Sequence, residues 1–104
     1  EEAIKSYELA IKYNKNYDIA YNNLGVIYLD DLGRVNKAIE LFKNAVDANP
    51  NYALAHFNLA RATSIVVDKV EAAKLYQTAQ DINKITQEID PRDIADKISE
   101  LFES

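Results

Sequence analysis

Three stretches of this chain can be laid over one another without a gap: EEAIKSYELAI at 1–11, NKAIELFKNAV at 36–46 and VEAAKLYQTAQ at 70–80. Ala3, Ala38 and Ala72 fall into line, as do Tyr7, Phe42 and Tyr76, and Ala10, Ala45 and Ala79, first 35 and then 34 residues apart. The intervening segments repeat too, with Tyr21/His56, Asn23/Asn58, Leu24/Leu59 and Gly25/Ala60 each 35 apart. A period of this length restricts the chain to a stacked architecture. Each unit is one small motif that buries its apolar face only against its neighbours.

Within each unit the apolar spacing is helical. Ala38, Leu41, Phe42, Ala45 and Val46 fall at i, i+3, i+4, i+7 and i+8, a single stripe along one helix. Tyr21, Leu24, Gly25 and Tyr28 form the earlier stripe, with Gly25 or its counterpart Ala60 small enough for close helix approach. The breaks are LDDLGR, with Gly33 in the turn, and NPNY, where Pro50 ends a helix. The pattern predicts six helices, near 1–14, 18–31, 35–48, 52–66, 69–88 and 91–103, with consecutive helices antiparallel.

Tyr21-x2-Leu24-Gly25-x2-Tyr28, then Ala38-x3-Phe42, then Pro50, resembles the tetratricopeptide repeat, with Tyr in place of the usual Trp. The resemblance covers roughly residues 1–83 and implies an all-α, right-handed stack of antiparallel helix pairs, an α-solenoid. Within one domain, 1–17 would be the second helix of a truncated repeat, 18–52 a full repeat, 53–86 a degenerate one and 87–104 a C-terminal capping helix. One extra residue between Tyr28 and Gly33 is expected in the inter-helix turn, where insertions cost least. The degenerate repeat puts His56, Ala60 and Thr63 at the Trp, Gly and Tyr positions, Val67 in place of the turn Gly, and Lys84 where Pro is expected.

The two ends differ. Ile4, Tyr7, Ala10, Ile11 and Tyr13 of the first helix are stacking residues whose partner helix would lie upstream. Burying one such side chain is worth about 1.5–3 kcal/mol, so self-association through Ile4, Tyr7 and Ile11 is the structural alternative to a ligand-binding role. At the other end, without Pro, the fifth helix is expected to run through Ile82, Ile85 and Ile89. Asp90 is then an N-cap, Pro91 suits the first helical position, and Ile94, Ile98 and Leu101 face the stack while Asp96, Glu100 and Glu103 face water. The β-branched TSIVV at 63–67 is a second candidate contact surface, since three consecutive apolar residues cannot all face inward on a helix.

Composition excludes several functions. At 104 residues the chain is one domain. It has no cysteine, and so no disulfide or thiolate chemistry and none of the common zinc sites. Of the formal charge of −5, a net −4 lies in 81–104, leaving no basic stripe for nucleic acid. No apolar run is long enough for a bilayer. The start at Glu1-Glu2, with no Met and no leader, reads as an excised piece of a longer protein, and a cytoplasmic location is the expectation. Nothing suggests an enzyme or a cofactor. His56, the one histidine, sits at an aromatic core position; adjacent Asp30 and Asp31 diverge on a helix and make no metal pair; two glycines make no phosphate loop.

What remains is protein–protein interaction, as part of a scaffold or adaptor. The resemblance implies that the first helix of each repeat lines a concave groove for a protein or peptide ligand. Carried over position by position, the lining is Ile19, Asn22, Asn23, Val26 and Asp30, then Leu54, Phe57, Asn58 and Arg61, with Ile65 beyond. An Asn amide both donates and accepts, so Asn23 and Asn58 resemble the ladder that grips peptide backbones in the superhelical repeats of O-linked N-acetylglucosamine transferases. The carboxylate clamp of chaperone-binding repeats would instead need Lys and Arg where this chain has Leu54 and Asn58. A mixed apolar and amide groove suits a peptide of modest charge.

Overall fold

The computed structural model describes residues 2–66 and 69–102, so Val67 in the fourth turn and Glu103 on the last polar face lie outside the described residues. Among these residues the chain forms helices only: α1 (Glu2–Tyr13), α2 (Asp18–Val26, continuing as a wider turn over Ile27–Asp31), α3 (Val35–Ala48), α4 (Ala53–Val66), α5 (Lys69–Thr86) and α6 (Pro91–Phe102). Each packs mainly on its neighbours in sequence, the arrangement that a repeat stack requires.

The aligned alanines explain the close packing. Ala38, Ala45, Ala72 and Ala79 are all fully buried, bringing the helix backbones close around Phe42 and Tyr76. One core joins Leu29, Ala38, Phe42, Leu59 and Ala62. The other joins Phe57, Ala60, Ala72, Tyr76 and Ala79 to Ile94 and Leu101, so α6 does cap the stack with its apolar stripe. At Gly25 the contact is closest. A Cβ there would lie 2.5 Å from Cε1 of Phe42.

The extra residue of the full repeat is not in the turn where it was expected. It is taken up at the end of α2, where Ile27–Asp31 winds as a π-helix and the Leu32 N–H donates to the Ile27 carbonyl at 3.1 Å. Gly33 follows with φ +64°, a conformation that glycine adopts without strain. Widening the helix keeps Leu29 in the core and turns Asp30 toward α4.

Three polar side chains lock the later turns. His56 donates Nε2–H to the Pro50 carbonyl at 2.8 Å, a tautomer set by the acceptor, so the lone histidine ties α4 to the turn before it. Buried Asn83 donates to the Ile89 carbonyl (2.6 Å) and accepts from the Ile89 N–H (2.8 Å). The α5 helix therefore stops at Thr86, short of the predicted 88, with Gln87 at φ 54° and Ile89 held in the turn instead of extending the helix. Glu88 reaches back to the start of α4, accepting from Ala53 N–H (3.1 Å) and Leu54 N–H (3.3 Å). A carboxylate at a helix N-terminus satisfies orphan donors and meets the positive end of the dipole. Asp90 caps α6 as expected, accepting the Arg92 N–H at 2.9 Å.

No residue of α1 is buried. Ile4, Tyr7, Ala10 and Ile11 are half-buried on its inner side, whereas Tyr13, expected to stack, is 80% exposed. Tyr13 is the last residue of α1, where the chain turns away toward α2.

Candidate peptide-binding recess

Asn22, Asp30, Asn58 and Arg61, four of the predicted groove residues, form one hydrogen-bonded chain. Asn58 donates Nδ2–H to Asn22 Oδ1 at 3.0 Å; Arg61 donates from Nη1 to Asn58 Oδ1 at 3.0 Å and from Nη2 to Asp30 Oδ1 at 2.8 Å. Asn22 and Asn58 are only 1% and 3% exposed, so both amides act as internal struts between α2 and α4. Asn23 is half-buried and its amide bonds to no other described residue. The two asparagines that align 35 apart are thus unlike in environment, because Asn22, one place earlier, reaches across to Asn58. The strut system continues to Tyr52. Burial first, then the Glu88 and Asp18 carboxylates, raise the pKa of its hydroxyl against an opposing hydrogen bond from Asn22.

The other lining residues separate. Phe57 points into the core, with its ring edge-on to Tyr76 at a centroid distance of 5.5 Å, and is no part of an open groove. Leu54 is half-buried against the same core, and Val26 against the other. Ile19 is exposed at the far end, beside a small hollow of about 180 Å³ between α1 and α2.

Where the end of α2, α4 and α6 meet, the surface opens into a recess of about 460 Å³. Arg61 and Asp30 stand on one side and Lys97 and Glu100 of α6 on the other, with Leu29, Ile65 and Leu101 supplying apolar wall and Tyr76 of α5 the floor. Beyond the capping role expected of it, α6 also forms a wall of this recess. Its pattern of Lys97 and Glu100 three residues apart, opposite Arg61, was the available signal. Burial holds the Tyr76 hydroxyl protonated, its pKa pushed up to about 12, with Arg61 pulling it down and Glu100 up.

Among the described residues no cluster of His, Asp or Glu could hold a metal ion, and no helix is long and apolar enough to cross a membrane.

A family model described as TPR repeat matches residues 1–31 and again 31–63. The chain belongs to the tetratricopeptide-repeat family, whose fold is in general a protein–protein interaction module and whose members are typically non-catalytic. It is 35% identical over 83 residues to an uncharacterized protein, ycf37, of Pyropia yezoensis, covering 78% of this chain and 46% of that one. It therefore spans about half the length of that curated relative. The TPR2B domain of yeast Sti1, solved in complex with pHsp70, shares the fold at a TM-score of 0.86 and 20% identity over 94% of this chain and 78% of that one. MamA does so at 0.80 and 26% identity, over 95% of this chain and 54% of that one. The right-handed stack of antiparallel pairs expected from the repeat is the fold of these structures.

Proposed function

We propose that this chain is a segment of a larger scaffold or adaptor that holds a partner peptide in the recess between α2, α4 and α6. The observation that carries this reading is the recess itself. It combines apolar wall with hydrogen-bonding groups fixed by a buried amide network, and it is large enough for a few side chains. Such a mixture suits capture of an extended segment. The complex of the yeast Sti1 domain with pHsp70 supports a protein or peptide as the partner.

The test compares two faces. Fluorescence polarisation against a panel of labelled nine-residue peptides should find binders that Ile65→Asp, in the recess, weakens at least about tenfold, the scale of a lost central contact. Ile85→Asp, on a side chain 86% exposed on another face, should leave them unchanged. Equal effects of the two substitutions would refute the placement.

A second reading rests on α1, which buries none of its residues and leaves Leu9 and Tyr13 exposed. A second copy could cover Ile4, Tyr7 and Ile11. Light scattering should then show dimers that Ile4→Lys with Tyr7→Lys abolishes; a monomer at high micromolar concentration excludes it.

A further inference from the structure

Two helix faces that the repeat elsewhere covers lie open, one at each end of the stack. Ala3, Tyr7 and Ala10 of α1 align with Ala38, Phe42 and Ala45 of α3 and with Ala72, Tyr76 and Ala79 of α5. The side chains on α3 and α5 are at most 2% exposed, whereas Ala3 is exposed and Tyr7 and Ala10 are only half-buried. The neighbours account for the difference. α3 lies between α2 and α4, and α5 between α4 and α6, while α1 packs mainly on α2.

At the other end, α6 shows the complementary gap. Ala55, Leu59 and Ala62 of α4 share the spacing i, i+4, i+7 with Ile94, Ile98 and Leu101 of α6. Both rows turn to the helix before them: Leu59 and Ala62 join the core of Phe42, and Ile94 and Leu101 that of Tyr76. One residue further on, the same spacing gives a second row, Tyr21, Gly25 and Tyr28 in α2 and His56, Ala60 and Thr63 in α4. This row meets the helix that follows, where Gly25 lies against the Phe42 ring of α3 and Ala60 shares a core with Tyr76 of α5. In α6 the second row is Ala95, Ser99 and Phe102, and all three are exposed, Phe102 at 60%.

The covered pairs specify what fits the open face of α1. It is an antiparallel helix that sets a small residue against the ring of Tyr7, as Gly25 is set against Phe42. In a second copy, α2 and α4 are already covered on both flanks. α6 has its second row open, with Ser99 at the place of Gly25 and Ala60.

We infer that copies of this chain associate end to end, the Ala95–Ser99–Phe102 row of α6 in one copy packing on the Ala3–Tyr7–Ala10 face of α1 in the next, so that the two helices complete a repeat. The contact joins two different surfaces, so each added copy brings a fresh open end. Lys97 and Glu100, on the side of α6 that borders the recess, stay uncovered. The inference rests on the self-association reading above and names α6 as the surface that covers α1.

The experiment is sedimentation velocity over a concentration series. Ala3→Arg and Ser99→Arg each put a long charged side chain at a position exposed in the single copy, so circular dichroism and the unfolding midpoint should hardly change. The wild-type mass should rise with concentration beyond that of a dimer, and each substitution should weaken association at least about thirtyfold, the scale of a lost central contact. An equimolar mixture of the two variants retains one intact α6 row and one intact α1 face, and should form a one-to-one pair that grows no further. Dimers that Ala3→Arg abolishes and Ser99→Arg spares overturn the end-to-end contact and leave self-association through α1 standing. A mixture that stays monomeric while the wild type associates also overturns the end-to-end contact alone. A wild type that is monomeric at high micromolar concentration, or association that neither substitution weakens, overturns both.

Discussion

Gly25→Ala is the smallest change that tests how the repeat is packed. The added methyl would meet Phe42 at 2.5 Å (Cε1), 2.7 Å (Cδ1) and 3.0 Å (Cζ), where carbons normally rest about 3.5–4.0 Å apart. Phe42 is fully buried among Ala38, Leu29 and Leu59, so its ring has no free space to move into. Overpacking of this kind costs about 1–3 kcal/mol, and an overlap of roughly 1 Å on a rigid ring belongs at the upper end. Replacing a mid-helix glycine by alanine returns about 1 kcal/mol of helix propensity. The net expectation is a loss of about 1–2 kcal/mol, read from urea unfolding followed by circular dichroism at constant slope. Phe42→Leu in the same chain should relieve the clash, so the double variant should lose less than the sum of the singles. Gly33→Ala is the control: nothing lies within 4 Å of its Cβ, and its cost comes from φ +64° alone, with no rescue by Phe42→Leu. A neutral Gly25→Ala, or strictly additive singles, would refute the packing argument.

Asn83→Ala should cost about 1–3 kcal/mol by stranding the N–H and carbonyl of Ile89, and hydrogen exchange should show α6 opening more often than α4. Asn58→Ala should cost a similar amount, about 1–3 kcal/mol, because buried Asn22 loses its donor and Arg61 keeps only Asp30. A double-mutant cycle with Asn22→Ala should show coupling between the two amides. The Arg92 side chain, then the Arg92 backbone N–H, hold the Asp90 carboxyl below the usual carboxylate range. Its contribution to stability is therefore present above about pH 4 and fades as pH falls through the depressed value. Carboxyl NMR titration of Arg92→Ala should bring Asp90 back up toward the ordinary value.

Much of the stack is written in short-range pattern. The aligned alanines and the rings of Phe42 and Tyr76 repeat at helical spacing, and burial selects residue size at those places, so the core residues and the order of helices can be read directly. Asp90-Pro91 likewise announces the start of α6, because a cap and its helix are adjacent in sequence. The features that escaped depend on what lies across a packed interface. Glu88 meets the start of α4 some 35 residues upstream, and Asn22 meets Asn58 some 36 residues downstream. Neither residue type announces its partner. The same limit applies to the groove. Position within the repeat suggested Phe57 and Asn58 as lining, but the ring turns in to Tyr76 and the amide is held by Asn22 and Arg61. The extra residue after Tyr28 was visible as a count. Its absorption into the helix as a π turn follows from keeping Leu29 buried, a demand made by α3 and α4 rather than by the local sequence.

The central claim is that a tetratricopeptide stack here holds its partner where α2, α4 and α6 converge. The most direct measurement is an amide chemical-shift map of the ¹⁵N-labelled chain titrated with the tightest peptide of the panel. The account predicts shifts concentrated at Asp30, Arg61, Ser64, Ile65, Lys97 and Leu101. Shifts concentrated instead around Ile82 and Ile85 of α5, or along α1, would contradict it.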